Sequence, residues 1–144
     1  MVVHVRSMTA GDVERVAALS TELGYPSTPA DVTGRFAGIA ARHDHAALVG
    51  ETGSGEVVGW VHVHASLTLE AAPAAEIGGL VVHEPARAHG VGKLLVVAAE
   101  RWAAEHGYAE MRVRSNVVRE AAHQFYRRLG YEVVKTQLNF RKRL

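Results

Sequence analysis

The stretch over residues 46–67, "AALVGETGSGEVVGWVHVHASL", constrains the fold more than any other part of the sequence. Two runs rich in β-branched and apolar residues flank "TGSG", a turn sequence with two glycines, and this arrangement predicts a β-hairpin. A hairpin is antiparallel, whereas the strand-like and helix-like stretches that alternate later in the chain suit parallel crossovers. A sheet that accommodates both has to be mixed, with helices covering its faces.

The remaining elements follow from local pattern. "VVHVRS" reads as a first strand, and Thr9 caps a helix that places Val13, Val16, Leu19 and Leu23 near one face. Thr28 followed by Pro29 starts a second helix, with Val32, Phe36, Ile39 and Ala40 as its apolar stripe. After the hairpin, "EIGGLVVH" is a strand, and Leu95, Ala98, Ala99 and Trp102 mark a helix ending at Gly107. "AEMRVRSN" is a strand, "REAAHQFYRRLG" a helix, and "YEVVKTQLNFRKRL" two closing strands. The expected order is β-α-α-β-β-β-α-β-α-β-β, an α/β fold whose mixed, mostly antiparallel sheet has about seven strands. With 144 residues and no long linker, residues 1–144 are expected to form a single domain.

Composition removes several classes of function. Sixteen Lys and Arg against fifteen Asp and Glu leave a net charge of +1, so no broad basic field marks a nucleic-acid or membrane surface. The absence of cysteine excludes disulfides, thiolate metal sites and a cysteine nucleophile. No apolar run approaches the roughly 20 residues of a membrane span, and the start lacks a secretory pattern, so a cytoplasmic location is expected. Nine histidines raise the question of a metal, but neither His62 and His64 nor His43 and His45 has ligand partners at metal-binding spacing, and no metal is expected.

"ARAHGVGKLL", residues 86–95, has the look of a phosphate loop. Gly92 and Lys93 match the end of G-x-x-x-x-G-K-[ST], yet Arg87 stands where the first glycine belongs and Leu94 replaces the magnesium-binding hydroxyl. The dinucleotide fingerprint lacks its third glycine. What remains is a strand, a short glycine-containing loop and a helix N-terminus, whose unpaired amides and dipole favour an anion.

Arg87-Ala88-His89-Gly90-Val91-Gly92 resembles the [QR]-x-x-G-x-[GA] acyl-CoA signature of the GCN5-related N-acetyltransferases. Asn116 followed by "FYRRLGYEV" is similar to that family's N-x(9)-Y-x-x-x-G-[FY] segment. The element order agrees along essentially the whole chain. The resemblance implies acetyl-CoA as the acetyl donor, with the amides of Ala88, His89, Gly90, Val91, Gly92 and Lys93 around its pyrophosphate. It also implies that the backbone of Leu80, Val81 and Val82 pairs with the pantetheine arm, and that Asn116 bonds the arm or positions the thioester. Ala88 stands where many relatives have glycine, and Arg119 where many have a second asparagine, which leaves one cofactor contact open.

The same resemblance implies direct attack by a primary amine in a ternary complex, with Tyr126 as the acid at the leaving sulfur. An aliphatic ammonium titrates near about 10.4, so a base or water chain has to deprotonate it at neutral pH. Glu76 is the candidate, and strand parity with Gly78, Leu80 and Val82 would turn it to their face. His64, acting through water or lining the acceptor pocket, stands as the alternative, while His62 reads as a packing or surface residue. Tyr25 and Glu70 lie in the loops expected to meet the acceptor. A small-molecule amine, aminoglycosides included, is the favoured acceptor. A protein or peptide amine and a non-catalytic acyl-CoA sensor are the competing readings, and a homodimer is a family-based expectation.

Overall fold

The hairpin forms as expected. In the computed structural model, which describes residues 1–144, β2 (His45–Thr52) and β3 (Val57–Ser66) pair antiparallel. The chain divides into two compact units, residues 1–113 and residues 114–144.

The first unit contains β1 (Val3–Ser7), α1 (Val13–Glu22), α2 (Pro29–Ala40), the hairpin, β4 (Ala74–Val82), α3 (Val91–Glu105) and β5 (Met111–Val113). Its sheet has the order β1-β2-β3-β4-β5, antiparallel except for the β4–β5 pair. One face packs on α1 and α2, where Val13, Val16, Ala17, Leu19 and Val32 meet Val49, Val57 and Val81, with Phe36 and Trp60 at the margin. The other face packs on α3. A Cβ on Gly59 would lie 3.0 Å from the Leu95 side chain and 2.9 Å from the Val81 carbonyl, so only glycine lets the helix and the neighbouring strand come this close.

Local chemistry sets the helix starts. The Thr28 hydroxyl accepts the Asp31 amide at 3.1 Å, the Asp31 carboxylate accepts the Thr28 amide at 3.0 Å, and Pro29 opens α2. Before α1, Arg6 reaches from β1 to hold Asp12 through two bonds of 2.8 and 2.9 Å and Glu51 through a third of 2.7 Å. The guanidinium holds the Asp12 carboxyl below the usual carboxylate range, and the Thr9 amide adds to this.

In the second unit the only regular element is α4 (Glu120–Arg128). Here the structure departs from the sequence reading: the two strands expected over residues 131–144 do not form, and the sheet has five strands. Alternation supplies strand propensity, but a strand exists only beside a partner that takes its backbone hydrogen bonds. β5 is also shorter than the eight-residue run suggested, because it pairs β4 only along Ala75, Glu76 and Ile77.

Candidate functional site

The register of the sheet gathers a polar row on one face. His45 of β2 is opposite His64 of β3, His64 is opposite Glu76 of β4, and Glu76 is opposite Arg112 of β5. Cross-strand partners project to the same face, so four strands contribute one residue each. That face is the α1–α2 side, since Trp60 packs there and His62 and His64 follow it at two-residue steps.

A bulge in β4 makes room for the rings. His62 is opposite Gly79 while Val63 is opposite Ile77, which leaves Gly78 as the extra residue. The bulge turns both glycines beneath the rings: a Cβ on Gly78 would sit 2.8 Å from His62 Nδ1 and 3.2 Å from His64 Cδ2, and one on Gly79 2.8 Å from the Trp60 ring. It also reverses the parity beyond it. Val81, opposite Trp60, shares the face of Glu76, whereas Leu80 and Val82, opposite Val61 and Gly59, face α3; the parity expected for Glu76 with Leu80 and Val82 is therefore corrected.

The three imidazoles form a triangular cluster. His45 lies parallel to His62 and to His64 at centroid distances of 5.1 and 5.0 Å, and His62 to His64 is 5.2 Å. His45 Nδ1 and His62 Nε2 share a hydrogen bond of 2.9 Å. Burial, then the neighbouring His64 and His45, push the His62 imidazole down to about 4, so it is neutral at neutral pH. His45 is lowered as well, first by burial. His64 Nε2 is 3.4 Å from Glu76 Oε2, and both side chains are partly accessible at 21% and 15%. His62 is thus part of a hydrogen-bonded cluster rather than simple packing, and His45 joins it as the first residue of β2. The cluster is not arranged to hold a metal ion.

Beyond Ile77, β4 has no partner in β5. Residues 78–82, which include Leu80, Val81 and Val82, therefore run past the end of β5 and supply a backbone edge suited to an extended amide chain. Arg87 Nε donates to the Val82 carbonyl at 3.2 Å. Ala88 and Gly90 are in the left-handed region, at φ 66° and 77°, and α3 starts at Val91. The first intrahelical bond runs from the Leu94 amide to the Gly90 carbonyl at 3.1 Å, so the Val91, Gly92 and Lys93 amides precede the helical ladder. No acidic residue occupies this first turn, and His89 and Lys93 are exposed beside it. Space around Gly90 is open, with nothing within 4 Å of where a Cβ would be. These residues fit a diphosphate.

Sequence reasoning missed Glu22. Its carboxylate, at the end of α1, accepts from His83 Nδ1 at 2.8 Å and from the Glu84 amide at 3.2 Å, tying the helix to the turn before the amide cradle. No motif announces a contact across 61 residues of sequence. Tyr25 and Glu70 are exposed in their loops. A hollow of about 330 Å³ between β1–β2 and α3, lined by Leu48, Arg101 and Trp102 among others, lies on the opposite face from the polar row.

Asn116 and Tyr126 belong to the second unit. The Asn116 side chain accepts the Val118 amide at 3.1 Å, and its carbonyl accepts the Arg119 amide at 3.0 Å and His123 Nε2 at 2.8 Å, which organises the approach to α4. Arg119 caps α4 at its N-terminus. Tyr126 packs edge-on against Phe125 and Tyr131, at 5.1 and 5.7 Å. Burial pushes its phenol above the ordinary tyrosine value, against a smaller lowering by Arg119, so the hydroxyl keeps its proton.

The sequence profile of the acetyltransferase (GNAT) family matches residues 13–131. An aminoalkylphosphonate N-acetyltransferase of Salmonella typhimurium is 38% identical over 80 residues, which are 55% of this chain and 52% of that protein. The chain thus spans about half the length of this curated relative. Among solved structures, a transcriptional regulator from Bacillus halodurans superposes with a TM-score of 0.87 and 26% identity, over 98% of this chain and 100% of that one. The aminoglycoside N-acetyltransferase AAC(6')-Iy in complex with CoA superposes with a TM-score of 0.88 and 20% identity, over 99% and 96% of the two chains. With a mixed sheet flanked by helices and a profile match that covers most of its length, the chain belongs to the acetyltransferase (GNAT) family.

Proposed function

We propose that residues 1–144 form one acetyltransferase domain that moves the acetyl group of acetyl-CoA to the primary amine of a small molecule, by direct attack in a ternary complex. The observation that carries this reading is the juxtaposition, along β4, of a carboxylate at Glu76 with the unpaired backbone edge that begins two residues later. Leu80, Val81 and Val82 would pair with the pantetheine arm, and the amides from Ala88 to Lys93 would hold the pyrophosphate, with Arg87 beside them. Asn116 would bond the arm or position the thioester.

In the reaction, the substrate ammonium gives one proton to the base, the lone pair of the neutral amine attacks the thioester carbonyl, and the C–N bond forms as the C–S bond breaks, the nitrogen losing a second proton that returns through water to the acid at the sulfur. Tyr126, kept protonated by burial, would supply the proton that the departing sulfur takes up. A small acceptor is supported by the relatives, which include enzymes named for aminoalkylphosphonates and aminoglycosides.

Thiol release from acetyl-CoA, measured against a panel of aminoalkylphosphonates, aminoglycosides, polyamines and peptides, tests the proposal. Release with at least one small amine, well above hydrolysis, is expected. Acetyl-CoA binding without release across the panel would replace the enzyme with a sensor, and release with peptides alone would replace the acceptor class.

A further inference from the structure

His64 is fixed in a way that defines its hydrogen positions. Its Nδ1 lies 2.8 Å from the Ala65 carbonyl, and a carbonyl oxygen only accepts, so Nδ1 carries the hydrogen. In the neutral ring Nε2 then presents a lone pair, and it faces Glu76 Oε2 at 3.4 Å. Two acceptors facing each other repel, but one proton placed between them makes a charge-assisted hydrogen bond. We infer that His64 and Glu76 act as one proton-accepting unit, with His64 the positioning residue through which Glu76 serves as the base.

The surroundings support this. The His64 ring packs against both His45 and His62, at centroid distances of 5.0 and 5.2 Å, and those two rings are bonded to each other at 2.9 Å. Gly78 leaves the space that the rings occupy. The titratable and charged groups around the pair are His45 of β2 with Asp44 and Arg42 beside it, His62 of β3, and Arg112 of β5, which is bonded to Glu110 at 2.7 Å. His62 stays neutral down to about pH 4, so it puts no competing positive charge next to the pair at neutral pH. The proton taken from the ammonium is shared between Nε2 and Oε2, and it then passes to water, which both side chains reach.

This inference deepens the acetyl-transfer reading and rests on it for the last step alone, so two measurements on the full chain separate them. Long-range ¹⁵N NMR of the histidine rings should show the Nδ1–H tautomer for neutral His64, and Glu76→Gln should displace the His64 Nε2 resonance at fixed pH. An Nε2–H tautomer, or an unmoved Nε2 resonance, overturns the pair. The kcat/KM pH profile of His64→Asn, which keeps a donor for the Ala65 carbonyl, should show a fall of about 10- to 100-fold with a displaced acid limb and an unchanged KM for acetyl-CoA. A wild-type profile in His64→Asn overturns the catalytic role. A displaced Nε2 resonance in a chain that turns over no amine supports the pair and sinks the acetyl-transfer reading.

Discussion

Replacing Gly78 with alanine adds one methyl group under the histidine cluster, and the structure indicates what that should do. The new Cβ would start 2.8 Å from His62 Nδ1 and 3.3 Å from His62 Cε1. Ordinary non-bonded contact is about 3.5–4.0 Å, so the ring has to withdraw by about 1 Å. Such a shift stretches the 2.9 Å bond to His45 beyond hydrogen-bonding range. Losing that bond costs about 0.5–1.5 kcal/mol, and holding His62 off its preferred rotamer a similar amount. The total, about 1–3 kcal/mol, should lower Tm by about 3–10 °C for a chain of this size. Gly78 has no positive φ, so the penalty is one of space alone. His64 Cδ2, 3.2 Å from the same Cβ, also has to move, and the fall in kcat/KM should exceed what the stability loss explains. Scanning calorimetry together with acetyl transfer to the best amine of the panel checks both. A Gly78→Ala protein with wild-type Tm and wild-type kcat/KM refutes the argument that the rings need this glycine.

Other perturbations follow from the same geometry. Ala88→Gly should leave acetyl-CoA affinity unchanged and be neutral to stabilising by up to about 1 kcal/mol, because the left-handed φ of 66° costs alanine about 1–2 kcal/mol and the extra freedom of the unfolded glycine offsets part of it; urea denaturation reads the difference. Stability should fall as pH drops from about 6.5 to about 4, because the unfolded chain protonates His62 before the folded one does. The limit of about 3 kcal/mol for this group is reduced to about 1–2 by solvent access, and His62→Asn should flatten that window. Below that window Asp12, whose carboxyl is depressed by Arg6, adds a further loss as it protonates, visible as a lower urea midpoint. Tyr126→Phe should reduce kcat by roughly 100-fold or more while KM for acetyl-CoA changes little, and an unimpaired kcat removes Tyr126 from the chemistry.

The parts of the fold that depend on neighbours in sequence are legible in the sequence alone. The hairpin turn at residues 52–55 and the Thr28–Pro29 helix start are local devices, and both stand where they were read. The loop and helix start that follow β4 were legible for the same reason, since two glycines, a short loop and a helix start lie within a dozen residues. The bulge at Gly78 was not, because parity counting assumes an unbroken strand, and one extra residue placed Leu80 and Val82 on the wrong face. The His45–His64–Glu76 row was invisible for another reason: its members come from three strands, and register is a property of pairing that no single segment carries. The strands expected over residues 131–144 failed on the same point, having the alternation but no partner in the sheet.

The segment without a strand has a colloidal consequence. Val133, Val134, Leu138 and Phe140 are all exposed, within a stretch that also carries Lys135, Arg141, Lys142 and Arg143. Apolar residues of high β propensity in an open segment promote self-association, and nearby cations of one sign oppose it. Because the whole chain has a net charge of only +1, little long-range repulsion stands behind those four cations. Their effect is confined to about a Debye length, roughly 8 Å in physiological salt, and shrinks further as salt is added. Solubility of this protein therefore depends on a handful of local charges rather than on its overall field.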